Sequence, residues 1–214
     1  NLVAQNLRTN RTNTIGLMLP SVANPYFADI ASSVIEEARH RNYTTIVLDS
    51  AESPELEKDG ISSLMSRQVD GIIAVPCGDD PSLFEEINRK FIPVILIDRY
   101  FSNSMLPYIT TNNYLGGIDA VNLLIMNGHS NIACIQGVVN SLPNKKRVAG
   151  YLAALDKAGI KDKALVVGND FSIQNGYLET KLLLNKTDRP TAIFALSNTI
   201  MLGAFRAIRE AGLK

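Results

Sequence analysis

The sequence predicts an α/β protein of the doubly wound type, with parallel sheets covered by helices. Three observations point there. Apolar runs of strand length recur along the whole chain, several of them nearly continuous, as strands buried on both faces require. Stretches of helical period separate them. The rhythm breaks at residues 100–107, which are polar at Ser102-Asn103-Ser104, and this places a crossing between two subdomains there or just after, near residues 108–113.

The strand candidates are residues 14–20, 44–49, 69–76, 93–98, 131–136, 164–167 and 191–196. The first helix is read from Phe27, Ile30, Ala31, Val34, Ile35 and Ala38, whose spacing draws one buried stripe. Ser53-Pro54 reads as an N-cap followed by proline at the first helical position, with Ile61, Leu64 and Met65 continuing the apolar face. Further helices are expected at residues 82–90, 114–127, 145–158, 172–184 and 198–211. Gly159 and Gly212 follow two of them where a left-handed C-terminal cap is favoured. Alternation of strand and helix implies right-handed crossovers.

A chain of 214 residues that is 46% hydrophobic can bury one large domain or two small ones. Its 21 basic and 21 acidic residues balance, which argues against a core that binds nucleic acid over its whole surface. Arg8 and Arg11 precede the first acidic residue, Asp29, and by charge alone read as solvated groups on a polar tail. No run approaches the roughly 18 apolar residues of a membrane helix, and the start carries no signal-peptide pattern. Cys77 and Cys134 sit at or in apolar runs without C-x-x-C spacing and are expected as reduced, buried thiols. His40 and His129 are far apart, so no metal site and no cofactor is expected.

Enzyme chemistry finds no foothold. The chain lacks the glycine patterns that cradle dinucleotide or nucleotide phosphates, and it lacks a nucleophile elbow. The paired acids Asp79-Asp80 and Glu85-Glu86 read as a loop and a solvated helix face. Ligands of open α/β sheets bind outside the carboxyl ends of strands. That rule selects Asn24, Tyr26, Phe27, Asp98, Arg99, Ser197 and Asn198, with Arg147 and Phe171 added for their type and place. Of the adjacent rings Tyr26 and Phe27, both can be core, or one packs inward while the other faces a cleft. Asp98-Arg99 is either a local ion pair or a clamp for hydroxyls or a carboxylate.

Taken in order, several short motifs resemble the LacI/GalR family of transcription regulators over essentially the whole chain. Val3-Ala4-Gln5-Asn6-Leu7 with Thr9-Asn10-Arg11-Thr12 is similar to that family's hinge helix and its exit. Asn24-Pro25-Tyr26-Phe27 resembles the turn of its sugar-type members. Ile97-Asp98-Arg99, Asn113-Tyr114 with Gly116-Gly117, Gly128-His129, Gly137 with Arg147, Gly150-Tyr151, Asp170-Phe171 with Gly176-Tyr177, residues 190–194, and Gly203-Ala204 with residues 210–213 also match.

The resemblance implies a type I periplasmic-binding-protein-like core of two Rossmann-like subdomains: a hinge segment at 1–13, an N-terminal subdomain at 14–108 and a C-terminal one at 109–214. It implies an effector, a small polyol and foremost a sugar, in the cleft. It also implies a cytoplasmic homodimer that acts as a repressor, bound to a palindromic operator. Val3, Ala4 and Leu7 would be the hinge's DNA-binding residues, with Leu7 as a minor-groove wedge. A segment so short orders only when DNA and a second chain hold it. Three departures stand out. Ser197-Asn198 occupies the place of an Asn-Asp pair, Asn112 replaces an aspartate, and the helix-turn-helix before Asn1 and a segment after Lys214 are expected but lie outside this chain. The rival reading is a periplasmic sugar-binding protein of a transport system, which shares the fold but needs no hinge.

Overall fold

In the computed structural model the described residues are 11–213; the hinge residues Val3, Ala4 and Leu7 lie outside them. The chain divides into two compact units after Thr110. Unit 1 is a five-stranded parallel sheet of order β2-β1-β3-β4-β5, built from β1 (Thr14–Leu19), β2 (Thr44–Asp49), β3 (Gly71–Ala74), β4 (Val94–Ile97) and β5 (Tyr108–Ile109). Its helices are α1 (Pro25–His40), α2 (Pro54–Ser66) and α3 (Ser82–Arg89). Unit 2 carries a three-stranded parallel sheet of order β7-β6-β8, from β6 (Ile132–Ile135), β7 (Leu165–Val167) and β8 (Ala192–Ala195). Its helices are α4 (Asn113–Met126), α5 (Leu142–Lys157), α6 (Ile173–Leu184) and α7 (Asn198–Glu210), with a short 3-10 turn at Lys161–Lys163.

The apolar runs become strands because both faces of each sheet are covered. In unit 1, Met18, Ile72, Val94 and Leu96 pack against Ile61 and Leu64 of α2 and Phe84 and Ile87 of α3. Leu17 and Leu19 pack on the opposite face with Phe27, Ile30, Ala31 and Val34 of α1. In unit 2, Ile132 and Cys134 face Val121 of α4 and Tyr151 and Leu155 of α5, while Ala133 and Ile135 face Leu183 of α6 and Ile200 of α7. Each fully buried aliphatic side chain contributes about 1.5–3 kcal/mol.

Helix starts follow local chemistry. Ser53 accepts the Leu56 N–H with Pro54 inside the first turn, and Ser172 accepts the Asn175 N–H. Gly159 and Gly212 have φ of +72° and +71°, the left-handed conformation that ends a helix. Both helix layers of unit 2 cross at glycines. A side chain at Gly117 would meet the Arg147 carbonyl at 2.7 Å, and one at Gly203 would meet the Tyr177 N–H at 2.6 Å.

Two elements differ from expectation. Tyr108–Ile109 adds an edge strand beside β4, pairing with Leu96 and Ile97, so the division falls after Thr110 and not after residue 108. Helix α5 begins at Leu142 because Pro143 sits in its first turn, where no backbone donor is needed.

Candidate functional site

Both sheets change direction of winding beside their first strand. In unit 1 the change lies between β1 and β3, and in unit 2 between β6 and β8. The crevice at the carboxyl end of such a point is where open α/β sheets take ligands.

In unit 1 the rim is cross-tied by carboxylates. Asp49 accepts the N–H groups of Val22 and Ala51 at 2.8 and 2.7 Å, which joins the loops after β1 and β2. Asn24 caps α1 by accepting the Tyr26 N–H, so its side chain is committed to the helix start. Of the two adjacent rings, Phe27 turns into the core at 5% exposed and Tyr26 stays outward at 39%, its hydroxyl donating to Asp98 Oδ1 at 3.0 Å. Asp98 lies just past β4 with φ of +62°. Arg99 forms a two-bond pair with Glu52 at 2.7 Å each and donates to the Pro76 carbonyl at 3.3 Å. Its Nε is 4.0 Å from Asp98 Oδ2. Burial alone would lower the Arg99 pKa, but Glu52 and then Asp98 outweigh it and hold the guanidinium charged. Of the two alternatives for Asp98-Arg99, the main partner of Arg99 is therefore a third residue, Glu52.

Beneath this rim, Ser50 and Cys77 share a hydrogen bond of 2.8 Å, and Glu57 accepts the Cys77 N–H. Burial pushes the Cys77 thiol up to about 12 and raises the Glu57 carboxyl above its usual value. A thiol so held is protonated and inert near neutrality. Cys134 is likewise reduced and is pushed up to about 12 by burial.

Unit 2 builds its rim from amides, a guanidinium and a ring. Arg147, on the second turn of α5, donates from Nε to Asn113 Oδ1 at 2.8 Å and from Nη1 to the Leu196 carbonyl at 2.6 Å. Asn144 accepts the Gly137 N–H at 2.9 Å and donates to Gln136 Oε1. The Phe171 ring lies directly on Gly137, where any side chain would collide with it. Thr199 donates to the Phe171 carbonyl and shares a 2.9 Å hydrogen bond with Ser197, which ties the loops after β7 and β8 together. Ser197 also caps α7 through the Ile200 N–H, and Asn198, the first residue of α7, is exposed.

Within each unit, then, the expected residues share one sheet end. Tyr26 is exposed there and donates to Asp98, whose side chain is only 5% exposed, with Asn24, Phe27 and Arg99 engaged alongside. Arg147, Phe171 and Ser197 are linked through Leu196 and Thr199. Sequence reasoning missed Glu52, Gln136, Asn144 and Asn175, whose side-chain amide donates to the Gln136 carbonyl at 3.0 Å. The strand-end rule, extended to the loop after β2, would have found Glu52.

Among the described residues no three His, Cys, Asp or Glu side chains are grouped to hold a metal ion, and no helix is long and apolar enough to cross a membrane.

Comparison with known proteins bears on this arrangement. Residues 12–214 match the family described as periplasmic binding proteins and sugar binding domain of LacI family. The HTH-type transcriptional regulator DegA of Bacillus subtilis is 32% identical over all of this chain, and the ribose operon repressor of Haemophilus influenzae is 32% identical over 99% of it. The chain spans about 64% of the length of either relative. A LacI family transcriptional regulator from Enterococcus faecium, solved with bound ribose, superposes with a TM-score of 0.83 at 27% identity. The match covers 94% of this chain and 73% of that one. These relatives are regulators and not enzymes, and none of the three is a transport protein.

Proposed function

This chain belongs to the family of periplasmic binding proteins and LacI-type sugar binding domains, and on that footing we propose that it is the effector-binding core of a transcription regulator. The regulator is a repressor. It works in the cytoplasm as a homodimer on a palindromic operator, through a hinge formed by residues 1–13 and a helix-turn-helix outside this chain. The effector is a small sugar.

The observation that supports this most is the pairing of rim chemistries. Unit 1 offers carboxylate and phenol oxygens at Asp98 and Tyr26, and unit 2 offers a guanidinium, hydroxyls and a flat ring at Arg147, Ser197 and Phe171. Sugar hydroxyls both donate and accept, and the apolar face of a sugar ring rests on an aromatic. Asn24, Phe27 and Arg99 shape the unit 1 surface from behind, and Asn198 borders the unit 2 surface. A sugar can shift DNA binding only through a difference in its affinity for two states of the protein.

Full-length protein is the material for the test. A thermal-shift screen of neutral monosaccharides, ribose first, identifies a binder. Arg147→Ala then abolishes that binding, measured by calorimetry, while operator DNA is still retarded in a gel. Undiminished sugar affinity in the Arg147→Ala protein sinks the site assignment.

A further inference from the structure

We propose that Glu52 sets the chemical class of effector that unit 1 accepts: it keeps the Arg99 guanidinium occupied, so that this surface takes neutral hydroxyls and rejects anions such as phosphate esters. The inference rests on the sugar-binding reading above and deepens it.

A guanidinium at a strand's carboxyl end is an obvious seat for phosphate, since its forked donors match two anionic oxygens. In this chain the end-on fork of Nη1 and Nη2 is already filled, while Nε is buried without a hydrogen bond, 4.0 Å from Asp98 Oδ2. Nη1 and Nη2 each donate to one Glu52 oxygen at 2.7 Å, and Nη1 also reaches the Pro76 carbonyl. The Arg99 side chain is 7% exposed and that of Asp98 5%, so what separates the two is the Glu52 pairing and not burial. The turn that delivers Glu52 is built for the purpose. Ala51 and Glu52 are consecutive non-glycine residues with φ of +49° and +58°, a conformation that costs L-residues backbone energy. Asp49 holds that turn through the Ala51 N–H.

The charge balance points the same way. Three carboxylates, Glu52, Glu57 and Asp98, surround the one guanidinium. Asp98 accepts from Tyr26 and is bordered by Arg99 at 4.0 Å. A sugar hydroxyl donates to such a carboxylate. A phosphate dianion must displace Glu52 from Arg99 and then face the remaining acids.

Matched pairs test this on full-length protein: ribose with ribose 5-phosphate, fructose with fructose 1-phosphate, and glucose with glucose 6-phosphate, each titrated calorimetrically. The neutral member of a binding pair should bind wild type at least about tenfold more tightly than its ester. Glu52→Gln should collapse that ratio, and adding Arg99→Met to Glu52→Gln should abolish the phosphate affinity gained. A selectivity ratio is a readout that general loosening of the fold does not produce. Tighter binding of the ester by wild type overturns this inference alone and leaves the sugar reading standing. Binding of no member of any pair overturns both. A ratio unchanged in Glu52→Gln removes Glu52 from the explanation, and if that variant does not fold, the wild-type ratio still decides the ligand class.

Discussion

Replacing Tyr151 with Phe removes one oxygen and leaves the ring. Tyr151 is fully buried in the core shared by α4, α5 and the unit 2 sheet. Its hydroxyl donates to the Ile132 carbonyl at 2.7 Å and accepts the Leu165 N–H at 2.9 Å, so it joins the first residues of β6 and β7. Burial raises its pKa, which keeps it a phenol able to do both. Two intramolecular hydrogen bonds at about 1 kcal/mol each give an expected loss of about 2 kcal/mol. No large cavity opens, because the ring stays. The chain has no tryptophan, so urea unfolding followed by circular dichroism is the suitable assay. If the two units unfold in separate transitions, only that of unit 2 should move. The hydroxyl lies at the amino ends of the strands, opposite Arg147 and Phe171, so effector affinity should not change. A loss below about 0.5 kcal/mol would refute the bridging argument, and so would a loss of effector binding in protein that remains folded.

Two further outcomes are expected. Burial raises the Glu57 carboxyl above 4.5, and the Cys77 N–H bonded to it offsets this only partly. A raised folded-state pKa contributes stability that is complete below the unfolded value and is lost as pH rises through the folded one. Glu57→Gln keeps an acceptor for Cys77 and cannot ionise. It should therefore gain on wild type as pH climbs from below 4.5 toward neutrality, and urea midpoints across that range check the sign. Phe91 is 95% exposed and has φ of +67° at the end of α3. Phe91→Gly should stabilise unit 1 by about 0.5–1 kcal/mol through relief of that conformation, read from the urea midpoint at unchanged slope.

The strands were legible to within two residues because continuous apolar runs have few other homes. The Ser53-Pro54 helix start was legible because cap and first-turn proline are both local chemistry. What escaped was either too short or too distant in sequence. Tyr108–Ile109 forms two residues of edge strand, both exposed, and carries no periodicity to detect. The helix expected at 145–158 starts at Leu142, because the first turn tolerates Pro143. At the rim, the strand-end rule located Asp98, Arg99 and Ser197. It could not assign Arg99 its partner, since Glu52 stands 47 residues away. Nor could it show that Phe171 needs Gly137 beneath it, because that contact depends on two loops meeting in space.

The glycine crossings of unit 2 bear on how a binding event travels. At Gly117 and Gly150, α4 and α5 touch backbone to backbone, and the Arg147 carbonyl is among the atoms in contact. Helices seated this way have no cushion of side chains on which to slide, so the pair resists shear and moves as one beam. Arg147 stands near one end of that beam with its guanidinium on the rim. Helix α5 has 16 residues and extends about 24 Å back toward the amino ends of the strands. A displacement of Arg147 would therefore be carried by the two helices together, since side-chain repacking has no room to absorb it at their crossing.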